Sequence, residues 1–423
     1  MSHSHVTPLL AQDPALPQRD LLLDQTVMTE YLSRLVARYG DFGVQDCARL
    51  RTKYRVGTSL RVLYELSGNQ RSYRIAARAF TKTHRVGNQF TSSFEIQAPE
   101  LNTMFWIFPH DRKIKNLPVL NNIPQELREI KGQEWVESRI VGHAPEKSLT
   151  AQCLGASKQT LAYAKIYAGD EGRQIFNTYR YVVEVVKTEK HNLRIPAALA
   201  YHEHHHLLLL KSVSGVPLSA LTSASRESAF FKLGQALKVL HPNNPPASLL
   251  QCRRFAPKAL ARAAETIGRA RPDVASLVQD VTDKLNAQFG QCGKDEPVFL
   301  HGDVHPKNIL LDNDRLVLLD LDQAAAGAAA VDLGSVIAGL YCDACAGSIS
   351  WRQALSLRRA FLSGYGAPQN SQVLRWHIAA ALVQERALRS VTRIRTANLL
   401  KLPQILQTAK AVLNGGIFAN QVP

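Results

Sequence analysis

The sequence predicts an α+β protein of two lobes, a small β-rich one followed by a larger helical one, preceded by a small α+β cap domain. Three observations predict it. Residues 54–80 and 135–168 alternate apolar and polar side chains at the strand period, punctuated by glycine-bearing turns. Residues 350–363, 371–390 and 400–413 space their apolar side chains as amphipathic helices do. Between these regions, VFLHGDVHPKNILLDNDRLVLLDLD at 298–322 reads as apolar strand, polar loop, apolar strand and two aspartates.

Taken in order, residues 1–20 are polar and proline-bearing and read as a disordered tail rather than a signal peptide. The cap domain, 21–130, opens with a helix over 21–39 (Leu22, Leu23, Val27, Met28, Tyr31, Leu32, Leu35, Val36) that stops at Gly40. A hairpin turning at Ser67-Gly68-Asn69 follows, then a proline-punctuated connector over 105–130. Residues 131–213 form the small lobe, with strands at 135–141, 148–154 and 161–168, a helix over 170–187, and an all-leucine strand at 207–210. His202-Glu-His-His-His206, just before that strand, reads as a polar hairpin turn. The large lobe covers 214–415. The two hairpins, 54–80 and 142–168, share a faint likeness, but only the second carries a strand lysine, Lys165, so nucleotide binding is assigned to the second.

The segment 298–322 carries the chemistry. An aspartate and an asparagine four residues apart, followed by a further aspartate beyond a second strand, suit phosphoryl transfer. One carboxylate accepts the acceptor hydroxyl's proton while an amide oxygen and another carboxylate hold Mg²⁺ on the nucleotide phosphates. Asp303 is the candidate base, and Asn308 and Asp320 are the candidate metal ligands. Asp322, pointing the same way as Asp320 on an extended chain, is a candidate support of the metal site, and His305 a candidate contact to phosphate or substrate. A turn rich in His, Asp and Asn could merely supply local hydrogen bonds, but the full order of strand, H-G-D-x4-N, strand and Asp is far more specific.

With these residues in view, the segment resembles the aminoglycoside phosphotransferase and choline kinase family, which has a two-lobed protein-kinase-like fold. The resemblance covers about 135–413. It implies an ATP- and Mg²⁺-dependent transfer to a small-molecule hydroxyl. It implies that His301 braces the catalytic loop, that Asp332 anchors the large lobe, and that Lys211, Ser212 and Val213 form the hinge meeting adenine. It further implies a helix glutamate partner for Lys165, for which Glu184, twelve residues before Pro196, has the family-like interval, with Glu171 the second choice. The loop 143–147 would cover the phosphates although it lacks G-x-G-x-x-G. The extra domain before the lobes is similar in placement to the cap of bacterial maltokinases.

Charge narrows the acceptor. The formal net charge is +16, and beyond Leu333 ten Lys/Arg face only Asp343 and Glu385. Such a field opposes polycations within a Debye length of about 8–10 Å, so a neutral or anionic sugar-like hydroxyl compound is expected. Nucleic acid is an unlikely partner, because the basic residues are not interleaved with aromatic stacking platforms; a nucleic-acid binder and a catalytically silent nucleotide-binding regulator are the alternative classes. Six scattered cysteines, including the lone Cys342-Asp-Ala-Cys345, make no disulfide framework. No apolar run approaches the roughly eighteen residues of a membrane span, and a cytoplasmic address is expected.

Overall fold

The computed structural model describes residues 9–37, 43–68, 71–83, 95–187, 192–241, 244–292, 296–366 and 372–416. The expected helix stop at Gly40 and the turn residue Asn69 lie outside them. At the N-terminus, α1 (Arg19–Leu23) and α2 (Gln25–Ala37) replace the single expected helix. Asp24 divides them, its carboxylate accepting the Val27 N–H at 3.0 Å as a helix N-cap does. Met28, Leu32, Leu35 and Val36 form the buried stripe of α2.

That stripe covers a five-stranded antiparallel sheet of β1 (Asp46–Arg55), β2 (Ser59–Gly68), β3 (Arg71–Phe80), β4 (Glu95–Ala98) and β5 (Thr103–Ile107), in the order β1-β2-β3-β5-β4. The expected lone hairpin is thus the centre of a larger sheet, and the start of the expected connector is its fourth strand in space. Residues 9–20 are not a disordered tail. Leu10 and Leu16 are buried, Asp13 accepts hydrogen bonds from Tyr54 Oη (2.6 Å) and Gly57 N (2.8 Å), and Arg19 donates to the Ala11 carbonyl at 2.8 Å. A few apolar and charged anchors suffice to fix a segment whose composition looks loose; residues 1–8 lie outside the described ones.

The second sheet contains β6 (Glu137–Ala144), β7 (Ser148–Leu154), β8 (Thr160–Tyr167), β9 (Ala198–His202) and β10 (Leu207–Lys211), ordered β9-β10-β8-β7-β6. Both its faces are covered, which is why β10 opens with four leucines. Leu207 and Leu209 pack with Ile114, Leu117, Leu127 and Trp135 on one side. Leu208 joins Tyr179 and Val182 of α3 (Glu171–Lys187) on the other. Residues 114–130 therefore belong to the core of the small lobe rather than to the N-terminal domain expected to extend to 130. The His-rich segment is the turn between β9 and β10.

The remainder is helical around a short catalytic hairpin. β11 (Val298–Leu300) leads to β12 (Ile309–Asp312) and β13 (Arg315–Leu318), which pair antiparallel with Ile309 opposite Leu318. Before it come α4 (Ser223–Leu240), α5 (Pro257–Ala270) and α6 (Ala275–Cys292); after it α7 (Ala330–Cys345), buried nearly all round, forms the centre of the lobe. Cys342 packs there, burial pushing its thiol up to about 11. α8 (Trp351–Tyr365) starts at a Ser350/Gln353 capping box. α9 (Gln372–Ala381) continues through a π-helical turn, Leu382–Ala387, into α10 (Leu388–Arg393), and α11 (Leu402–Leu413) closes the lobe. Among the described residues, no helix is long and apolar enough to cross a membrane.

Candidate active site

The loop after β11 is held from below. Asp332, at the start of α7, accepts the backbone N–H groups of His301 (2.8 Å) and Gly302 (3.0 Å) and contacts His241 Nε2 at 3.3 Å. Burial alone would favour the neutral acid, but the hydrogen bond and charge of His241 and the loop amides hold Asp332 below its usual range. His301 is fully buried. Its Nε2 donates to the Leu319 carbonyl at 2.9 Å, which leaves Nδ1 to accept from the Asp303 N–H at 3.3 Å. Gly302 has φ +79° and a Cβ there would meet the Gln323 carbonyl at 1.9 Å, so only glycine fits. From the side, Arg254 donates to the Gly302 carbonyl and to Glu385, each at 2.5 Å. The π-helical turn aims Glu385 inward, and Ser335 Oγ donates to its other oxygen at 2.5 Å.

This brace presents Asp303 at the mouth of the cleft. Asn308 Nδ2 donates to the Asp303 carbonyl (3.1 Å) and carboxylate (3.4 Å), which leaves the amide oxygen open to a cation. Arg389 Nη1 lies 3.4 Å from the same carboxylate. Burial, then the charge of Arg386, lower His305 to about 4, so it is a neutral imidazole at neutral pH and can meet a phosphate only as a hydrogen-bonding group.

Lys165, on β8, is buried and donates to Asp320 Oδ1 (2.8 Å) and Asp322 Oδ1 (2.7 Å). Asp322 also accepts from Tyr167 Oη at 3.0 Å. The expected pairing with Glu184 is corrected by this geometry: Glu184 and Glu171 are exposed on α3, whose buried stripe is Tyr179, Val182 and Val186. Glu184 lies five residues beyond Tyr179, about 140° around a helix of 3.6 residues per turn, and so faces away. Tyr179 takes the inward place, its hydroxyl accepting from the Leu321 N–H at 3.3 Å. Burial opposes ionisation of Asp320, yet the charge and hydrogen bond of Lys165 outweigh it and hold the carboxyl down at about 2. Burial and the neighbouring Asp320 push Asp322 upward. The side chain of Asp320 is 40% exposed and that of Asp322 only 7%. An open, ionised carboxylate beside an amide oxygen fits Mg²⁺, which takes one or two protein oxygens and leaves the rest to phosphate and water. Asp322, expected to support the metal, has one oxygen committed to Lys165 and Tyr167; it fits as the lysine's anchor. In a double-mutant cycle Lys165→Met and Asp322→Asn are expected to couple by more than about 0.5 kcal/mol, whereas Lys165→Met and Glu184→Gln add. Nucleotide affinity measured across the two cycles checks this.

A cavity of about 310 Å³ opens between the lobes, lined by Val141, Tyr163, Lys165, Pro196, Leu210, Lys211, Val213, Leu310, Leu319, Asn308 and Asp320. Its apolar walls suit a flat base, and Lys211 and Val213 of the expected hinge line it while Ser212 does not. The β6–β7 turn carries Glu146, in a left-handed conformation (φ +62°) and with its side chain 4% exposed. Three arginines converge on that carboxylate: Arg61 (3.2 Å) and Arg78 (2.5 Å) from the N-terminal sheet, and Arg112 (2.9 Å). The Glu146 N–H donates to Asp111 at 3.0 Å. A turn without glycines is thereby fixed from outside. Glu146→Ala should strand these arginines and cost about 3–5 kcal/mol of stability, read as a fall in Tm; an unchanged Tm would mean that the latch is idle.

Sequence reasoning missed a second cavity, of about 360 Å³, on the far side of Asp320. Asp303 and Asp320 line it together with Arg51, Lys53 and Arg61 from the N-terminal sheet and Arg389 and Arg393 from α10. The one local signal was the alternation Arg51, Lys53, Arg55 on a single face of β1, with Thr52 and Tyr54 buried on the other.

Residues 182–381 match the profile of the phosphotransferase enzyme family. Over these residues the chain is similar to that family. The match spans the last six residues of α3, the catalytic loop and the central helices, and it makes the protein a small-molecule kinase. A thermostable mutant of aminoglycoside phosphotransferase APH(4)-Ia, in ternary complex with ADP and hygromycin B, has a similar structure, with 14% identity, 72% of this chain and 100% of that chain covered, and a TM-score of 0.51. A variant of the same enzyme with AMP-PNP and hygromycin B aligns at 15% identity over 72% and 100% of the two chains, TM-score 0.50. The family phosphotransferase thus has the expected two-lobed, protein-kinase-like α+β fold. No curated protein gives a significant match.

Proposed function

We propose that this phosphotransferase uses ATP and Mg²⁺ to phosphorylate a hydroxyl of a small, sugar-like molecule. The observation that supports it most is the meeting of Asp303, Asn308, Asp320 and Lys165 at the junction of the two cavities. Adenine occupies the apolar cleft against Val213 and Leu319, and Lys165 grips the phosphates once they draw it from Asp320, Asp322 keeping hold of its other side. Asp320 and Asn308 would hold Mg²⁺, which would supply charge neutralisation on the phosphate oxygens. Asp303 takes the proton of the acceptor hydroxyl as that oxygen bonds to the γ-phosphorus. The bond from the γ-phosphorus to the β–γ bridging oxygen breaks, and ADP leaves. ATP as donor puts the reaction in the cytoplasm.

The test is ADP release in the presence of Mg²⁺, ATP and a panel of sugars, polyols and amino alcohols. Acceptor-dependent release that EDTA abolishes is expected; binding of nucleotide without turnover of any acceptor would favour a silent regulator. Polycationic aminoglycosides, the ligand class of the similar structures, are expected to be poor acceptors, because Arg51, Lys53 and Arg393 line the cavity at Asp303. Robust turnover of kanamycin at low ionic strength would overturn that expectation.

A further inference from the structure

We propose that the cavity between the N-terminal sheet and α10 is a binding subsite for an anionic group on the acceptor, a phosphate or a carboxylate, so that the substrate is an anionic hydroxyl compound. The inference rests on the reading of Asp303 as the base. An acceptor hydroxyl must lie against that base, and Asp303 lines this cavity and not the adenine cleft. Adenine lies in the other cavity, and the γ-phosphate, beside Ala144, Pro145 and Lys147 of the β6–β7 turn, meets the acceptor in this one.

The acceptor side is built of cations from two distant parts of the chain. Arg51 and Lys53 project from the same face of β1. Opposite them stand Arg389 and Arg393, spaced i,i+4 on α10, an arrangement that is self-repelling unless something negative lies between. Some of the cations at this cavity are satisfied within the protein: Arg389 reaches Asp303 at 3.4 Å and Arg61 reaches Glu146 at 3.2 Å. Among the described residues, none of Arg51, Lys53 and Arg393 has a carboxylate within 4.0 Å. Burial, with Arg393 and Arg61 nearby, lowers Lys53 to about 8, and burial, with Arg389 and Arg395, lowers Arg393 to about 10. Like charges held together at such a disadvantage are relieved by an anion, and guanidinium forks match the two oxygens of a carboxylate or phosphate. The N-terminal domain is then part of the substrate site, which explains why its sheet is latched through Glu146 to the turn over the nucleotide.

Two measurements separate this subsite from the kinase reading itself. In the first, inorganic phosphate is titrated calorimetrically into the protein with and without saturating Mg²⁺ and AMP-PNP, whose own γ-phosphoryl group fills the transfer position. Phosphate is expected to bind in both cases, and Arg51→Ala, Lys53→Ala and Arg393→Ala to weaken it by about tenfold or more each. No phosphate binding, or binding unchanged in all three variants, overturns the subsite whatever the enzyme phosphorylates. In the second, ADP release is followed with paired acceptors: ribose and ribose 5-phosphate, glucose and glucose 6-phosphate, glycerol and glycerate. The anionic member of at least one pair should have the lower KM, glycerate reporting carboxylate and the others phosphate. The three variants should raise that KM about tenfold while the KM for ATP stays within about threefold. A rise confined to the KM for ATP would assign the cations to the nucleotide phosphates and overturn the proposal. Phosphate binding that depends on Arg51 and Lys53, with no acceptor turned over, would leave the subsite standing and sink the kinase reading. Arg393→Lys, which keeps the charge, should recover most of the loss; a variant that is merely misfolded would not.

Discussion

Asp303→Asn is expected to lower kcat by about 10²–10⁴ while the affinity for Mg·ATP stays within about threefold. The amide has the shape of the carboxylate, so the hydrogen bond from Asn308 Nδ2 to the Asp303 carbonyl, at 3.1 Å, survives the change. So does the brace beneath it, because Asp332, His301 and Arg254 hold the loop through backbone groups of residues 301–303 and Leu319. What disappears is the capacity to take a proton. The contact with Arg389 also loses its charge, but both side chains are partly exposed, 24% and 30%, so that contact contributes little to stability. Single-turnover rates and calorimetric nucleotide binding, measured on the same preparation, separate chemistry from binding. Activity within a few-fold of the parent would remove Asp303 from the base role.

The parts of the site that were legible in the sequence are those in which spacing alone fixes geometry. His301, Gly302, Asp303 and Asn308 share one loop, and β12 and β13 form a hairpin that returns Asp320 to it within twelve residues of Asn308. Lys165 was legible because a strand lysine with apolar neighbours has only two faces to choose between. Its partner was not. Which residue of α3 meets β8 depends on the rotation of a helix about its axis as it packs, and the interval from Glu184 to Pro196 contains no information about that rotation. The buried stripe Tyr179, Val182, Val186 decides it.

Charge counting gave the sign of the acceptor side but not the residues that carry it. Neither acid beyond Leu333 lines the cavity at Asp303: Glu385 is buried against Arg254 and Ser335, and Asp343 lines a different cavity. The cations that line the cavity at Asp303 include Arg51 and Lys53, some 250 residues earlier in the chain. No local pattern links a strand of the N-terminal sheet to the catalytic loop. Only the continuous burial of Leu10, Leu16, Leu22 and the sheet residues with the core of the large lobe brings them together.

Asp320→Asn is expected to reduce Mg·ATP affinity on the order of 100-fold, about 2.8 kcal/mol at 1.4 kcal/mol per decade. Asparagine is the informative replacement because Asp320 has φ +63°, and asparagine tolerates the left-handed region where alanine would add strain. The substitution therefore removes charge while keeping backbone and shape. Two consequences of opposite sign follow. With Mg²⁺ present, the hard anionic ligand is gone and affinity falls; Asn308→Ala, which deletes only a neutral oxygen, should lower it less. With EDTA present, the carboxylate no longer faces the triphosphate, and Lys165 loses a competitor for its ammonium at 2.8 Å. Metal-free ATP should then bind as well as, or better than, it does to the parent. Calorimetry in both buffers reads the two signs from one variant. Equal Mg·ATP affinity in parent and variant would put the metal elsewhere, and a loss of the same size with and without Mg²⁺ would mean that Asp320 maintains the shape of the cleft and holds no ion.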